Sequence, residues 1–170
     1  MVALRATKRV LRYLSKPSID RDTPDTALGD WYVNRFVVRR RPLLLLISSK
    51  SLLPMICPAR DVRTLPQRLP ELVAQRLWRL RIPGVQIQAE ARAMTPVHVA
   101  RTLDRSVVGT MVDFIRTAPY YLGDAPPGDA VLHLVEAKLA YTPCRCSSRD
   151  TIWPEDVAKA HLAERWGSAA

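Results

Sequence analysis

The first third of the chain consists of short apolar runs between polar separators, a pattern typical of strands. Residues 1–7 alternate enough to form a short strand, and Thr7 can cap a helix that continues to residue 13 or 14. Three longer runs follow at hairpin spacing: 31–39, 43–47 and 52–57. We therefore predict three antiparallel strands. The wholly aliphatic middle one should be covered on both faces, and Pro54 places the last at an edge because proline donates no ladder hydrogen bond.

After residue 58 the apolar residues recur at helical spacing instead. One stripe carries Leu69, Leu72, Val73, Leu77 and Leu80. This helix should start near Pro66 or Pro70, because proline fits the first turn, and should end at residues 82–84. A helix over 85–94 and a returning strand over 96–100 should follow. Asp104 or Ser106 should then cap a helix that Pro119 ends or kinks, Asp129 should cap a helix that runs to about residue 140, and the last helix should open at Pro154.

This order of elements predicts an α+β protein. We expect a small, mostly antiparallel sheet of about four to five strands, drawn mainly from the first third and packed by the helices that follow. The 170 residues suit a single domain, 1–170. Within it, 16–27 should be a mobile polar loop, and 123–128 should break the chain before the C-terminal helices.

Composition narrows the class of protein. With 48% hydrophobic and 25% charged residues the chain should fold as an ordinary globular protein. Its longest aliphatic run, 43–47, is far below the roughly 20 residues of a spanning helix, so no membrane association is predicted. Three cysteines argue against a disulfide framework and indicate a reducing, cytoplasmic setting.

The net charge of +10 is concentrated near the start of the chain. Residues 1–60 hold 12 basic and 4 acidic residues, whereas residues 61–170 hold 14 and 12. Such asymmetry indicates one basic face that could meet phosphates, although a solvated face would have the same composition. The candidate nucleic-acid-binding residues are Lys8, Arg9, Arg12, Lys16, Arg39, Arg40 and Arg41, and Tyr13, Trp31 and Tyr32 could add base stacking.

Several catalytic classes are excluded by missing motifs. The six glycines form neither a P-loop nor a dinucleotide fingerprint, and Ser106 does not lie in a G-x-S-x-G elbow. No histidine has a metal-ligand spacing, and the pair Cys144 and Cys146 lacks further nearby ligands for zinc. We therefore predict neither a metal site nor a cofactor.

Two polar groupings remain. The first contains Asp30, Trp31, Tyr32 and Asn34 at the entry to a strand. The second begins with Asp104, Arg105 and Ser106, and Ser106, Gly109, Thr110 and Asp113 then lie along one side of a helix. Asp30, Arg105, Ser106 and Asp113 could act together as a catalytic set, since acid–base catalysis needs groups within hydrogen-bond reach. The alternative is a buried network of caps and hydrogen bonds that orients the helix on the sheet.

The chain resembles an uncharacterised bacterial family that is defined only as a domain of unknown function. The resemblance rests on LRATKRVL at 4–11, LGDWYVN at 28–34, RRRPLLLL at 39–46, KSLLP at 50–54, RSVVGTMVDF at 105–114 and YTPC at 141–144. Within the helix motif the family carries serine and asparagine where this chain has Thr110 and Val112. If that asparagine belongs to a site, Val112 alters the site in this member. The resemblance implies no activity.

The sequence thus favours a small basic cytoplasmic binding protein over an enzyme. We expect it to contact nucleic acid through its first 60 residues. The sequence does not specify an oligomeric state. The alternatives are a protein-interaction module of the toxin–antitoxin type, anchored by Trp153 and Trp166, and a small metal-independent nuclease that uses the catalytic set above.

Overall fold

A computed structural model of the chain describes residues 1–18, 23–124, 126, 128–145 and 150–167. The strands of this part are β1 (Val2–Ala6), β2 (Trp31–Val38), β3 (Arg41–Ser48), β4 (Pro54–Pro58), β5 (Val97–Arg101), β6 (Cys144–Arg145) and β7 (Thr151–Ile152). Its α-helices are α1 (Lys8–Leu11), α2 (Leu65–Arg79), α3 (Gly84–Ala93), α4 (Arg105–Leu122), α5 (Asp129–Ala140) and α6 (Pro154–Trp166), and a 3-10 helix, Ala59–Thr64, precedes α2.

The main sheet has the order β4-β3-β2-β1-β5. β1 lies between two parallel neighbours, with Leu4 opposite Trp31 of β2 and opposite Val99 of β5. β2, β3 and β4 follow one another as antiparallel hairpins, as their short separators predict. The α+β class is confirmed, and the sheet is mixed because the long segment between β1 and β2 carries the chain back to the same end of the sheet.

Helices cover both faces of the sheet. Leu44 and Leu46 of β3 point into one core, which also contains the apolar stripe of α2 and residues of α6. Leu43, Leu45 and Ile47 point into the opposite core, against α4 and α5. The prediction that the aliphatic run 43–47 is covered on both faces is therefore confirmed.

The observed edge strand and helix ends agree with the sequence predictions only in part. β4 is an edge strand, as Pro54 predicts, and Asp104 caps α4 by accepting a hydrogen bond from the Ser106 N–H. Asp129 does not cap α5, because Gly128 takes the N-cap position and Asp129 lies in the first turn. α1 ends at Leu11, short of the predicted length.

Thr7 occupies the N-cap position of α1 without capping it by its side chain. Its hydroxyl donates to Asn34 Oδ1 at 2.9 Å instead, so it links the end of β1 to β2. The antiparallel β6–β7 ribbon is a further difference, because its strands of two residues each carry no readable period.

The two segments predicted as irregular are described only in part. In 16–27, residues 19–22 lie outside the described residues; Ser18 N–H donates to the Val99 carbonyl on the outer side of β5, and Leu28, which follows the loop, is buried. The segment 123–128 separates α4 from α5, and residues 125 and 127 also lie outside the described part. Among the described helices none combines the length and apolar character needed to cross a membrane.

Candidate nucleic-acid interface

Basic residues gather where the parallel strands end. Because β1, β2 and β5 run in the same direction, their carboxyl ends point to one edge of the sheet, here called the carboxyl edge. α1 follows β1 at this edge, residues 102–104 follow β5, and β2 continues past it to the turn that leads into β3. A ligand that reaches this edge therefore meets the connections that follow β1 and β5.

The residues here called the basic edge surround the ends of β1 and β5. Lys8, Arg9, Arg12 and Lys16 are exposed, while Val10 anchors α1 in the core. The structure adds Arg101, the last residue of β5, and Arg105, the first residue of α4, both exposed. None of these six forms an ion pair with another described residue. Their charges are therefore available to an anionic partner.

A second group, here called the arginine tip, contains Arg39, Arg40 and Arg41. Arg39 and Arg40 form a two-residue turn between β2 and β3 with φ of 50° and 65°. A turn with positive φ at both positions normally contains Asn-Gly, because other L-residues cost about 1–2 kcal/mol each in this region. Arg39 contacts Asp124 at 2.6 Å, but both side chains are exposed, so solvent screens this pair and leaves it weak.

The register of β2 sets the separation between these two groups. Val33 is opposite Ala6 near the end of β1, and Arg39 comes six residues later along β2. At about 3.3 Å per residue the arginine tip lies roughly 20 Å beyond the end of β1. A nucleic acid strand carries about one phosphate per 3.4 Å, so the two groups could contact phosphates roughly six nucleotides apart.

Two of the proposed stacking residues are core residues. Trp31 is fully buried, and Tyr32 is only 2% exposed. Neither ring presents a face on which a base could stack. Tyr13 is half-buried beside Arg12, whose guanidinium lies 5.9 Å from the ring centroid.

The polar grouping around residue 30 fastens β1 to β2. Asp30 is buried; its Oδ1 accepts from the Ala3 N–H at 3.0 Å and its Oδ2 accepts from Arg5 Nε at 2.6 Å. Arg5 in turn donates through Nη1 to the Arg101 carbonyl at 3.3 Å. This chain of bonds runs across β2, β1 and β5 and holds the basic edge in place.

Tyr32 and Asn34 have similar positioning roles. The Tyr32 hydroxyl accepts from the Asp104 N–H at 3.1 Å, which fixes the segment between β5 and α4. Asn34 accepts the hydroxyl of Thr7 and the N–H of Arg35. The grouping read from the sequence therefore orders the backbone around the basic edge.

The helix grouping lies mainly on the outer side of α4. Arg105, Ser106 and Asp113 are exposed, and the half-buried Thr110 donates to the Ser106 carbonyl at 3.2 Å. Val112 is 37% exposed, so the position at which the family motif carries asparagine is partly open to solvent.

The two carboxylates of the suggested catalytic set have different surroundings. Asp113 lies near Cys144, where its charge adds to the burial that raises the pKa of this thiol to about 11. Asp30 is buried against β1 and paired with Arg5. Asp30 and Asp113 therefore do not face a common open cleft.

The cysteines and the two C-terminal tryptophans are the remaining candidates for chemistry or partner contact. Burial raises the pKa of the Cys57 thiol to about 12, which keeps it protonated at neutral pH. Cys146 lies outside the described residues. Within the described part no three His, Cys, Asp or Glu side chains are grouped as metal ligands. Trp153 is 45% exposed, whereas Trp166 packs against the core and donates to Glu90 Oε2 at 2.7 Å.

Arg101 and Arg105 belong to the basic edge but are absent from the nucleic-acid-binding candidates predicted from the sequence, where Arg105 appears only in the helix grouping and the catalytic set. The strand over 96–100 is predicted, but its parallel pairing with β1 is not, and only that pairing brings Arg101 beside Ala6. The sequence does carry one signal for them. Arg101 follows a predicted strand and Arg105 lies at the start of a predicted helix, so both flank the connection between these two elements.

Comparison with known proteins identifies a family. The family model described as Domain of unknown function (DUF6933) matches residues 3–157, from β1 into α6. A comparison with curated proteins finds no match.

Proposed function

We propose that this chain, which belongs to the family described as a domain of unknown function, binds nucleic acid through the basic edge and the arginine tip. The partner chemistry is the phosphate backbone, so binding should depend weakly on base sequence. Free thiols at Cys57 and Cys144 agree with a reducing bacterial cytoplasm as the setting.

The availability of charge carries the proposal. Six exposed cations of the basic edge have no ion-pair partner among the described residues, and the arginine tip extends the positive surface by roughly 20 Å. Arginine suits this role because its planar guanidinium can donate two hydrogen bonds to one phosphate.

The conformation of the arginine tip gives independent support. Residues held at positive φ without being glycine are costly, and such positions concentrate where function requires a particular side chain. Arg39 and Arg40 both occupy this region in a turn that asparagine and glycine would fill with less strain. Single residues of this kind also occur at Leu52 and Arg81, whereas the arginine tip holds two in succession, which a phosphate-binding role explains.

The test is a salt titration of binding. A fluorescein-labelled duplex of 20 base pairs, as DNA and as RNA, is titrated with protein at several KCl concentrations, and anisotropy gives the binding constant. Log K should fall linearly with log salt, by about 0.9 per contacted phosphate on duplex DNA. The double variant Arg9→Ala with Arg12→Ala should bind more weakly at low salt, and its slope should be shallower by about 2.

A charge-matched variant provides the control. Arg81 and Arg92 are exposed, outside the carboxyl edge, next to the end of α2 and within α3. Replacing both with alanine removes the same charge and should leave the slope unchanged. Absence of binding at 50 mM KCl, or equal losses for the two double variants, would contradict the proposal.

A further inference from the structure

A crevice opens at the carboxyl edge between β1 and β5. The chain leaves β1 into α1, whose Val10 packs in the core with α2 and α6. It leaves the neighbouring β5 into α4, whose Val107 and Met111 pack on the opposite face. Parallel neighbours whose connections diverge in this way form a topological switch point, and open sheets with parallel strands commonly bind ligands there.

Two depressions occupy this crevice. One, of about 320 Å³, is lined by Ala6, Lys8, Leu11, Arg101 and Thr102. The other, of about 350 Å³, is lined by Arg5, Lys16, Pro17, Ser18, Ala100, Arg101 and Leu103. Each lies within the volume range of small-molecule sites, about 300–1,000 Å³, and Arg101 borders both.

Among the residues that the structure describes, those lining the crevice carry only positive charge. Its ionisable lining residues among the described part are Arg5, Lys8, Lys16 and Arg101, without a carboxylate. Arg5 is engaged by Asp30, and it holds the Arg101 backbone by donating to its carbonyl. The exposed Arg101 borders both depressions, with Lys8 beside it in the first and Lys16 in the second, and the Thr102 hydroxyl adds a neutral hydrogen-bond donor.

Apolar surface lies beside these cations. Leu11 and Ala6 line the first depression, and Pro17 and Leu103 line the second. Leu103 is 70% exposed, so its side chain is accessible to a ligand in the second depression. A ligand that combines a phosphate with a flat apolar group matches both parts of the lining.

We propose that this crevice binds a nucleotide carrying a terminal phosphate. Arg101 and the lysines contact the phosphate, and Leu11 or Leu103 contacts the base or sugar. The same chemistry is present in a free nucleoside monophosphate and in the phosphorylated end of a strand. The inference deepens the nucleic-acid function proposed above, and it adds recognition of a strand end to contacts with the backbone.

Strands that differ only at their ends test it. The intact protein is titrated with a labelled 12-nucleotide RNA bearing a 5′-phosphate, a 3′-phosphate or hydroxyls at both ends, all at one salt concentration. One phosphorylated form should bind about tenfold more tightly than the hydroxyl form, because only a terminal phosphate can form charge-assisted hydrogen bonds with Arg101. Arg101→Gln should weaken all three and reduce this preference to near one, whereas Arg40→Gln should weaken all three and keep the preference.

A calorimetric arm separates the two proposals. Uridine and adenosine monophosphate are titrated into the protein, with the unphosphorylated nucleosides as controls. Equal binding of all RNA ends together with no binding of the monophosphates overturns the crevice and leaves backbone binding intact. Binding of a monophosphate without binding of any RNA supports the crevice and overturns the nucleic-acid function. If neither RNA nor monophosphate binds, both proposals fail.

Discussion

At Gly29 the main chain passes too close to the β3–β4 turn for any side chain. Its φ is +77°, and a β-carbon at this position would lie 2.3 Å from Ser49 Oγ. That hydroxyl accepts the Asp30 N–H at 2.9 Å, and the Ser49 N–H donates back to the Asp30 carbonyl. The glycine of the motif at 28–34 is therefore required by the backbone, one residue before the carboxylate that holds β1.

Gly29→Ala should lower the free energy of unfolding by roughly 2–3 kcal/mol. About 1–2 kcal/mol comes from the left-handed conformation, and the rest from displacing the Ser49 hydroxyl from its hydrogen bond. Gly84→Ala is the matched control: Gly84 begins α3 with open space around it, so alanine there should be neutral or stabilising. Urea unfolding of both variants measures the difference, and equal stabilities would contradict the close approach.

At the scale of elements, the stability that the Asp104 cap gives to α4 should depend on pH. Asp104 Oδ1 accepts from the N–H and the hydroxyl of Ser106 at 2.8 and 2.7 Å, and these bonds hold the pKa of the carboxyl below its usual 3.8. Because the folded-state pKa is depressed, the cap stabilises the protein above about pH 4 and loses this contribution as pH falls through the folded-state value.

Asp104→Ala should therefore be about 0.5–2 kcal/mol less stable than the parent at pH 7, and the gap should narrow below pH 4. Asp104→Asn should retain most of the stability at pH 7, because asparagine also caps helices, and should lose this part of the acid response. Urea unfolding at pH 7 and pH 3 gives both comparisons. A gap between Asp104→Ala and the parent that stays constant with pH would show that the ionised carboxylate is not the cap.

The β2–β3 hairpin links stability to the proposed function. Arg40→Gly should raise the free energy of unfolding by about 0.5–1 kcal/mol, because relief at φ 65° exceeds the entropy that glycine loses on folding. The same change should weaken binding to duplex DNA by removing a cation. Arg41→Gly removes the same charge from the extended start of β3 and should instead destabilise the hairpin. Urea midpoints and anisotropy on both variants should show stability moving in opposite directions and affinity falling in both.

Elements defined by local chemistry can be predicted from the sequence. Asp104 caps α4, and Pro154 opens α6 with Glu155 and Asp156 in its first turn, so both helices start where expected. The aliphatic run of β3 likewise indicates burial on both faces. These features depend on residues a few positions apart.

The pairing of β1 with β2 and β5 depends on residues far apart in the sequence, so it cannot be predicted from local patterns. Asp30 holds Arg5 across 25 positions, and Arg101 reaches β1 from 96 positions beyond Arg5. Without that pairing the sequence offers seven candidate nucleic-acid-binding residues in the first 60 positions but cannot bring Arg101 and Arg105 beside them. The left-handed arginine turn is equally hidden, because Arg-Arg is not a turn signal.

At the scale of the whole molecule, three buried carboxylates join its layers. Asp30 ties β1 to β2. Glu90 of α3 accepts main-chain N–H groups before β2 and the indole N–H of Trp166, so it joins α3 and α6 to the sheet. Glu136 of α5 accepts the Ile56 N–H on the edge strand β4. A buried charge that loses its partners is strongly destabilising, so packings that separate these layers are disfavoured.

Glu90 and Glu136 act at separate places, and a double-mutant cycle should show it. Arg79 donates to Glu136 Oε2 at 3.0 Å, so Arg79→Met weakens that anchor without removing the carboxylate. Glu90→Gln turns one acceptor into a donor that faces N–H groups and should cost about 1–3 kcal/mol. The effects of Arg79→Met and Glu90→Gln on the free energy of unfolding should add within about 0.5 kcal/mol, because the two anchors share no partner.

Glu90→Gln combined with Trp166→Phe should be less than additive by at least that amount, since each change breaks the same hydrogen bond. Urea unfolding of the singles and doubles measures both cycles, and coupling of equal size in the two would mean that the anchors do not act independently.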